Sequence, residues 1–234
     1  MTATDTDLDI VSYSLDVADS ELRRLTAFLS AEECLRAAQF RFRRSRGRFV
    51  VGRGRLREIL GQRTCRDPHS LRFAYGPNGK PELADSSVRF NLSHCEGVAL
   101  LAVTCGRDVG VDVERLRPVA DLELVAERFF SSLEVRALRA LPTAKRDAAF
   151  LRCWTRKEAY VKAVGGGLSM GLRDFAVSLR DGEPAGIVWA AEPSEARRWS
   201  VSDLSTYVPR HLAALVVPVP PEIDLPATPV RECP

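Results

Sequence analysis

An α+β fold built from two similar halves is predicted by three observations. Stretches of period-two alternation are interspersed with stretches of helical period. The same order of helix cap, long helix and strands occurs twice along the chain. The 234 residues also suffice for two units of about 100–120 residues each. In the first half, residues 11–17 alternate apolar and polar and read as a strand. Ser30 opens a helix, with Glu33 three residues on as its capping-box partner. A longer helix is predicted from Arg46 to Leu60, with Phe49, Val50, Leu56 and Leu60 on its apolar side. The GPNGKP stretch at 76–81 is a turn by composition. VRFNL (88–92), VALLAVT (98–104) and DVGVDVE (108–114) follow as strands.

The second half repeats these signals. Ser131 and Glu134 offer another S-x-x-E cap, a long helix is predicted from Arg146 to Val164, and strands follow at 172–179 and 212–217. At an offset of 101 residues, Ser30, Glu33, Phe49, Leu71 and Arg72 meet Ser131, Glu134, Phe150, Leu172 and Arg173. Five identities lie close to chance, so the repeated order of elements carries the inference. The expected division is 1–107, 108–217 and a tail at 218–234 that holds six prolines in 17 residues.

Composition excludes more than it assigns. With 45% hydrophobic and 28% charged residues the chain is ordinary for a soluble globular protein. No run of about 18 apolar residues is present to span a membrane, and the acidic start, Met1 to Asp9, has no apolar core of a signal peptide. The six cysteines, at 34, 65, 95, 105, 153 and 233, form no C-x-x-C pair, which argues against zinc and against a disulfide framework. A reduced, cytoplasmic setting is the expectation. A net charge of +3 defines no partner, but eight arginines (41, 43, 44, 46, 48, 53, 55 and 57) follow one another without an intervening acid. Such a run meets phosphate or forms a solvated helix face. A nucleic-acid-binding module would use it, yet would leave the acids described next unexplained.

Asp112 and Glu114 sit two apart in a strand-like segment and so point to one face. Val109, Val111 and Val113 then face the core, and Gly110 permits close backbone approach. Paired hard oxygen ligands suit Mg²⁺, although from this pair alone a polar strand face is the simpler account. Glu158 and Lys162 lie four apart on one helical face, with Trp154 a turn earlier. As a surface ion pair they would contribute about 0.3–0.5 kcal/mol; on a partly buried face, ended by the glycines at 165–167, they can act as base and acid in phosphoryl transfer. Lys80 is presented by the 76–81 turn, which is no Walker A loop, and His94 follows Ser93 at a strand end.

In order, GKP at 79–81, FNLSH at 90–94, GVDVE at 110–114, FFS at 129–131 and WTRKEAYVK at 154–162, with Gly167 and Leu168 beyond, resemble the Sfp-type 4′-phosphopantetheinyl transferases. The matching segments span about residues 48–179. The resemblance implies two α+β halves about a pseudo-two-fold axis, with coenzyme A in the cleft between them. It implies a Mg²⁺ site of Asp112, Glu114 and Glu158 holding the coenzyme A pyrophosphate. Lys162 corresponds to the α-phosphate contact, Lys80, Ser93 and His94 to coenzyme A contacts, and Arg48 to a phosphate contact. Glu158 would be the base, with Lys162 at the leaving phosphate, in transfer of phosphopantetheine to a serine of an apo acyl or peptidyl carrier protein. The enzyme is expected to act as a monomer, without nucleic acid or membrane. Phe49 stands where some members carry threonine, and Glu33 where some carry a base, which leaves Arg36 as the basic residue there. A member that binds coenzyme A without catalysis is disfavoured by the intact Asp112, Glu114, Glu158 and Lys162.

Overall fold

The computed structural model describes residues 7–167 and 170–219. The first half runs β1 (Leu8–Ser14), α1 (Asp19–Thr26), α2 (Ala31–Ala38), α3 (Arg43–Thr64), β2 (Phe73–Tyr75), β3 (Pro81–Leu83), β4 (Val88–Cys95) and β5 (Val98–Cys105). The second runs β6 (Gly110–Arg115), α4 (Leu122–Phe129), α5 (Ser132–Arg139), α6 (Thr143–Val164), β7 (Phe175–Val177), β8 (Ile187–Ala190), α7 (Pro193–Arg198), β9 (Trp199–Asp203) and β10 (His211–Pro218).

The halves repeat in topology as well as in order. Antiparallel sheets ordered β1-β5-β4 and β6-β10-β9 have the same connectivity, and each half adds a small hairpin, β2-β3 or β7-β8. The two long helices are each 22 residues. Both predicted capping boxes form, with Ser30 accepting from the Glu33 N–H and Ser131 from the Glu134 N–H. Helices α3 and α6 extend three residues further back than the sequence suggested, to Arg43 and Thr143. β10 runs through Pro218, opposite Trp199, so Pro218 belongs to the sheet rather than to the tail. The tail from 220 on, Leu168 and the first six residues lie outside the described residues.

Apolar side chains join the halves. Leu100 and Ala102 of β5 share one buried cluster with Val111 and Val113 of β6 and Leu215 of β10. Gly110 opens β6 against α6: a Cβ there would overlap the Ala159 carbonyl oxygen and the Ala163 nitrogen. The helix therefore lies directly on the strand. This close approach brings the charged face of α6 over the acids of β6.

The arginine run is largely consumed by the protein itself. Six of its eight members pair with acids of the first half: Arg43 with Asp19, Arg44 and Arg48 with Asp16, Arg53 and Arg57 with Glu33, and Arg55 with Glu21. Those acids lie upstream in the chain, so the sequence run shows a charge excess that folding removes.

Candidate active site

β4 and β6 are edge strands of the two sheets and lie side by side where the halves meet. Period-two geometry sends Asp112 and Glu114 to one side of β6. The Asp112 Oδ1 accepts hydrogen bonds from the Ser93 hydroxyl at 2.8 Å and from Lys162 Nζ at 2.5 Å. Lys162 also reaches the Ser93 Oγ at 3.2 Å. The other oxygen, Asp112 Oδ2, is buried and has no hydrogen-bond partner. A buried carboxylate oxygen without a partner is costly.

Two further carboxylates feel the Asp112 charge. Glu158, one turn before Lys162 on α6, has its pKa raised, first by burial and then by the Asp112 charge. Glu114 is raised in the same way. Burial and the neighbouring negative charge thus disfavour the ionised form of both carboxyls relative to a free one. Among the described residues no three acidic, histidine or cysteine side chains converge as a ready ligand shell. The donor chemistry is nevertheless that of a hard divalent cation: carboxylate oxygens, one of them orphaned. A Mg²⁺ ion fits these residues.

Glu158 and Lys162 line a cleft of about 670 Å³ together with Lys80 and Pro81 of the first half and Phe129 and Met170 of the second. Lys80 reaches it because Gly79, at φ +78°, closes the predicted turn, with its N–H bonded to the Gly76 carbonyl. The Lys80 ammonium donates to the Val109 and Ala163 carbonyls at 3.2 and 3.3 Å, fastening the first half to the end of α6. Burial lowers its pKa.

Arg48 and His94 lie elsewhere. Arg48 binds Asp16 through two nitrogens, at 2.8 and 2.6 Å, in a separate hollow beside Val17 and Arg44. His94 is exposed and, by strand alternation, on the opposite side of β4 from Ser93. Glu33 is occupied in pairs with the part-buried Arg53 and the buried Arg57, and Arg36 lies over the Phe49 ring at 5.5 Å.

Sequence reasoning missed Asn91, Cys95 and Asn78. Asn91 accepts the Val111 N–H at 2.8 Å, Cys95 contacts Glu114, and Asn78 donates to the Gly165 carbonyl at 2.8 Å. The available signal was the polar alternation of Asn91, Ser93 and Cys95 on β4.

Comparison with known proteins shows the family. A sequence model of the 4′-phosphopantetheinyl transferase superfamily matches residues 108–216, the half that carries β6 and α6. The 4′-phosphopantetheinyl transferase HetI of Nostoc sp. is 42% identical over 194 residues, which cover 81% of this chain and 79% of HetI. Sfp, the 4′-phosphopantetheinyl transferase of Bacillus subtilis, is 30% identical over 169 residues, covering 71% and 74% of the two chains. A holo-(acyl-carrier-protein) synthase from Bacillus anthracis, crystallised in complex with CoA (3′,5′-ADP), is similar at 22% identity and a TM-score of 0.39, over 47% of this chain and 94% of that one. With such identity to HetI and Sfp over most of both lengths, this chain belongs to the Sfp-type 4′-phosphopantetheinyl transferase family.

Proposed function

We propose that this transferase binds coenzyme A in the cleft between its halves, with Asp112, Glu114 and Glu158 holding Mg²⁺ against the pyrophosphate. The observation that carries this reading is the buried, orphaned Asp112 Oδ2, on a carboxylate whose charge helps to raise the pKa of both Glu114 and Glu158. Bound there, Mg²⁺ supplies charge neutralisation on the phosphate oxygens. Lys80 and Ser93 hold coenzyme A at the cleft, and Arg48 and His94 meet it beyond, at the first half. The carrier serine oxygen attacks the β-phosphorus while the bond to the 3′,5′-ADP oxygen breaks. Glu158 accepts the serine proton. Lys162 stabilises the charge released on the leaving phosphate. The protein forms no covalent bond itself, so positioning and electrostatics carry the rate.

The reading divides the enzyme at residues 107 and 108, each half contributing one wall of the cleft. It acts as a cytoplasmic monomer on acyl or peptidyl carrier proteins. No described helix is long and apolar enough to cross a membrane. The test is intact-mass analysis of several apo carriers incubated with coenzyme A, Mg²⁺ and the folded enzyme. A gain of one phosphopantetheine on one serine is expected; no gain across the panel overturns the reading.

A further inference from the structure

The seam between β4 and β6 has an unusual construction. Each strand is the edge of its own sheet, and no backbone ladder joins them. Buried edge groups need partners, and here side chains of one strand supply them. Asn91 Oδ1 accepts the N–H of Val111, a fully buried residue, at 2.8 Å. Ser93 Oγ donates to Asp112 Oδ1 at 2.8 Å. The Cys95 thiol donates to Glu114 Oε2 at 3.5 Å and accepts the Arg115 N–H at 3.4 Å. Residues 91, 93 and 95 are alternate positions on one face of β4, and their partners ascend β6 in the same direction.

The rungs do more than satisfy an edge. Two end on carboxylates, and the third fixes the backbone immediately before Asp112. With Oδ1 occupied by Ser93 and Lys162, the Asp112 carboxylate is turned so that Oδ2 is its remaining oxygen. Glu114 is longer and more mobile by nature, and on the β4 side it is held through Cys95.

We propose that Asn91, Ser93 and Cys95 form a side-chain ladder across the seam that sets Asp112 and Glu114 for the cation, with Asn91 and Cys95 as positioning residues. This inference rests on the reading that those carboxylates bind a divalent metal. It gives the first half a part in the metal site without contributing a ligand, and it makes the strand-to-strand register a determinant of metal affinity.

The test uses Mn²⁺ as the probe, titrated into the full chain with saturating coenzyme A and no carrier, bound and free ion being separated by electron paramagnetic resonance. Cys95→Val adds one methyl-sized group and removes the hydrogen bond. It is expected to weaken Mn²⁺ binding about tenfold, the low end of the range for partners of metal ligands, because a thiol is a weak donor. Cys95→Ser restores binding to within about threefold of wild type by the same argument, and the thermal midpoints of both variants stay near that of wild type. Cys95→Ala is the alternative should the valine not fold. Unchanged Mn²⁺ affinity in the Cys95 variants, with affinity lost in Asp112→Asn, overturns the ladder and leaves the metal site standing. Unchanged affinity in Asp112→Asn overturns the metal site, and the ladder with it.

Discussion

In the first half Glu33 caps α2 and binds Arg57 of α3 at 2.6 Å; in the second, Glu134 caps α5 and binds Lys157 of α6 at 2.9 Å. The two devices are the same: a buried carboxylate closes a short helix and fastens the long helix behind it. The next residue of each long helix is again a glutamate, and there the halves part. Glu58 of α3 is taken up by Arg24 and Arg55, and the Arg24 hydrogen bond holds its pKa down. Glu158 of α6 has no arginine. Burial and the Asp112 charge push its pKa up, and it faces the cleft. Four residues on, α3 has Gln62 where α6 has Lys162. One scaffold, used twice, thus pairs this glutamate with arginines in one copy and sets it near another acid in the other. The residues shared by the two halves hold the fold, and the unshared ones mark the chemistry.

The largest expected effect lies in the unshared set. Lys162→Ala is predicted to lower kcat by 10²–10³, about 2.7–4 kcal/mol of transition-state stabilisation, while Gln62→Ala leaves the rate unchanged. Steady-state kinetics on the two variants checks this; equal, mild losses would erase the contrast between the helices.

The shared device should fail alike in both halves. Lys157→Met strands the buried Glu134, at a cost of about 3–5 kcal/mol, and Arg57→Met costs less because Arg53 still pairs with Glu33. Both cations also hold carbonyls, Lys157 those of Leu172 and Phe175 at 2.7 and 2.6 Å and Arg57 those of Pro68 and Leu71 at 2.9 and 3.1 Å, so the second ion pair of Glu33 is what makes the Lys157 loss the greater. Urea unfolding measures both. Stability unaffected in one half only would show that the duplication is one of shape and not of energetics.

A smaller effect has opposite signs in the two halves. For Glu158, folding raises the pKa, so the metal-free folded state binds the extra proton. Stability then falls as pH rises from the unfolded carboxylate value through the raised folded value. Glu58 is lowered on folding, so it contributes stability above the unfolded value that is lost as pH falls through the folded one. At neutral pH without metal, Glu158→Gln is expected to raise the thermal midpoint, by about 2–4 °C for each kcal/mol released, and Glu58→Gln to lower it. Calorimetry across that pH window decides the signs.

The smallest effect is expected at Arg48. Its pair with Asp16 is partly exposed, with side-chain exposures of 23% and 47%, so Arg48→Ala costs at most about 1 kcal/mol of stability. It should raise KM for coenzyme A more than it lowers kcat. If 3′-dephospho-coenzyme A showed the same rise, Arg48 would not be reading the 3′-phosphate.

What the sequence revealed was local. Capping boxes are set by residues three apart, and the alternation in β6 by residues two apart, so both were legible. Gly110 was legible because only a backbone needing close approach places glycine between core valines. The short elements were missed. β2 and β3 are three residues each, too few to show a period, and β8 exposes Val188 and Trp189. α1 and α4 start without a side-chain cap, α4 from Asp121 at φ +50°. The arginine run misled because its partners, from Asp16 to Glu33, return to it only through the packing of α1 and α2 on α3. The rungs from β4 to β6 were out of reach for the same reason, since pairing between two sheets has no sequence spacing.

The most direct test of the account compares intact masses of one responsive apo carrier after single-turnover reaction with the wild-type enzyme and with Asp112→Asn, each with Mg²⁺ and with a chelator. The account predicts one phosphopantetheine on the carrier only for wild type with Mg²⁺, with both proteins equally folded by circular dichroism. Full modification by Asp112→Asn, or by wild type in the chelator, would contradict it.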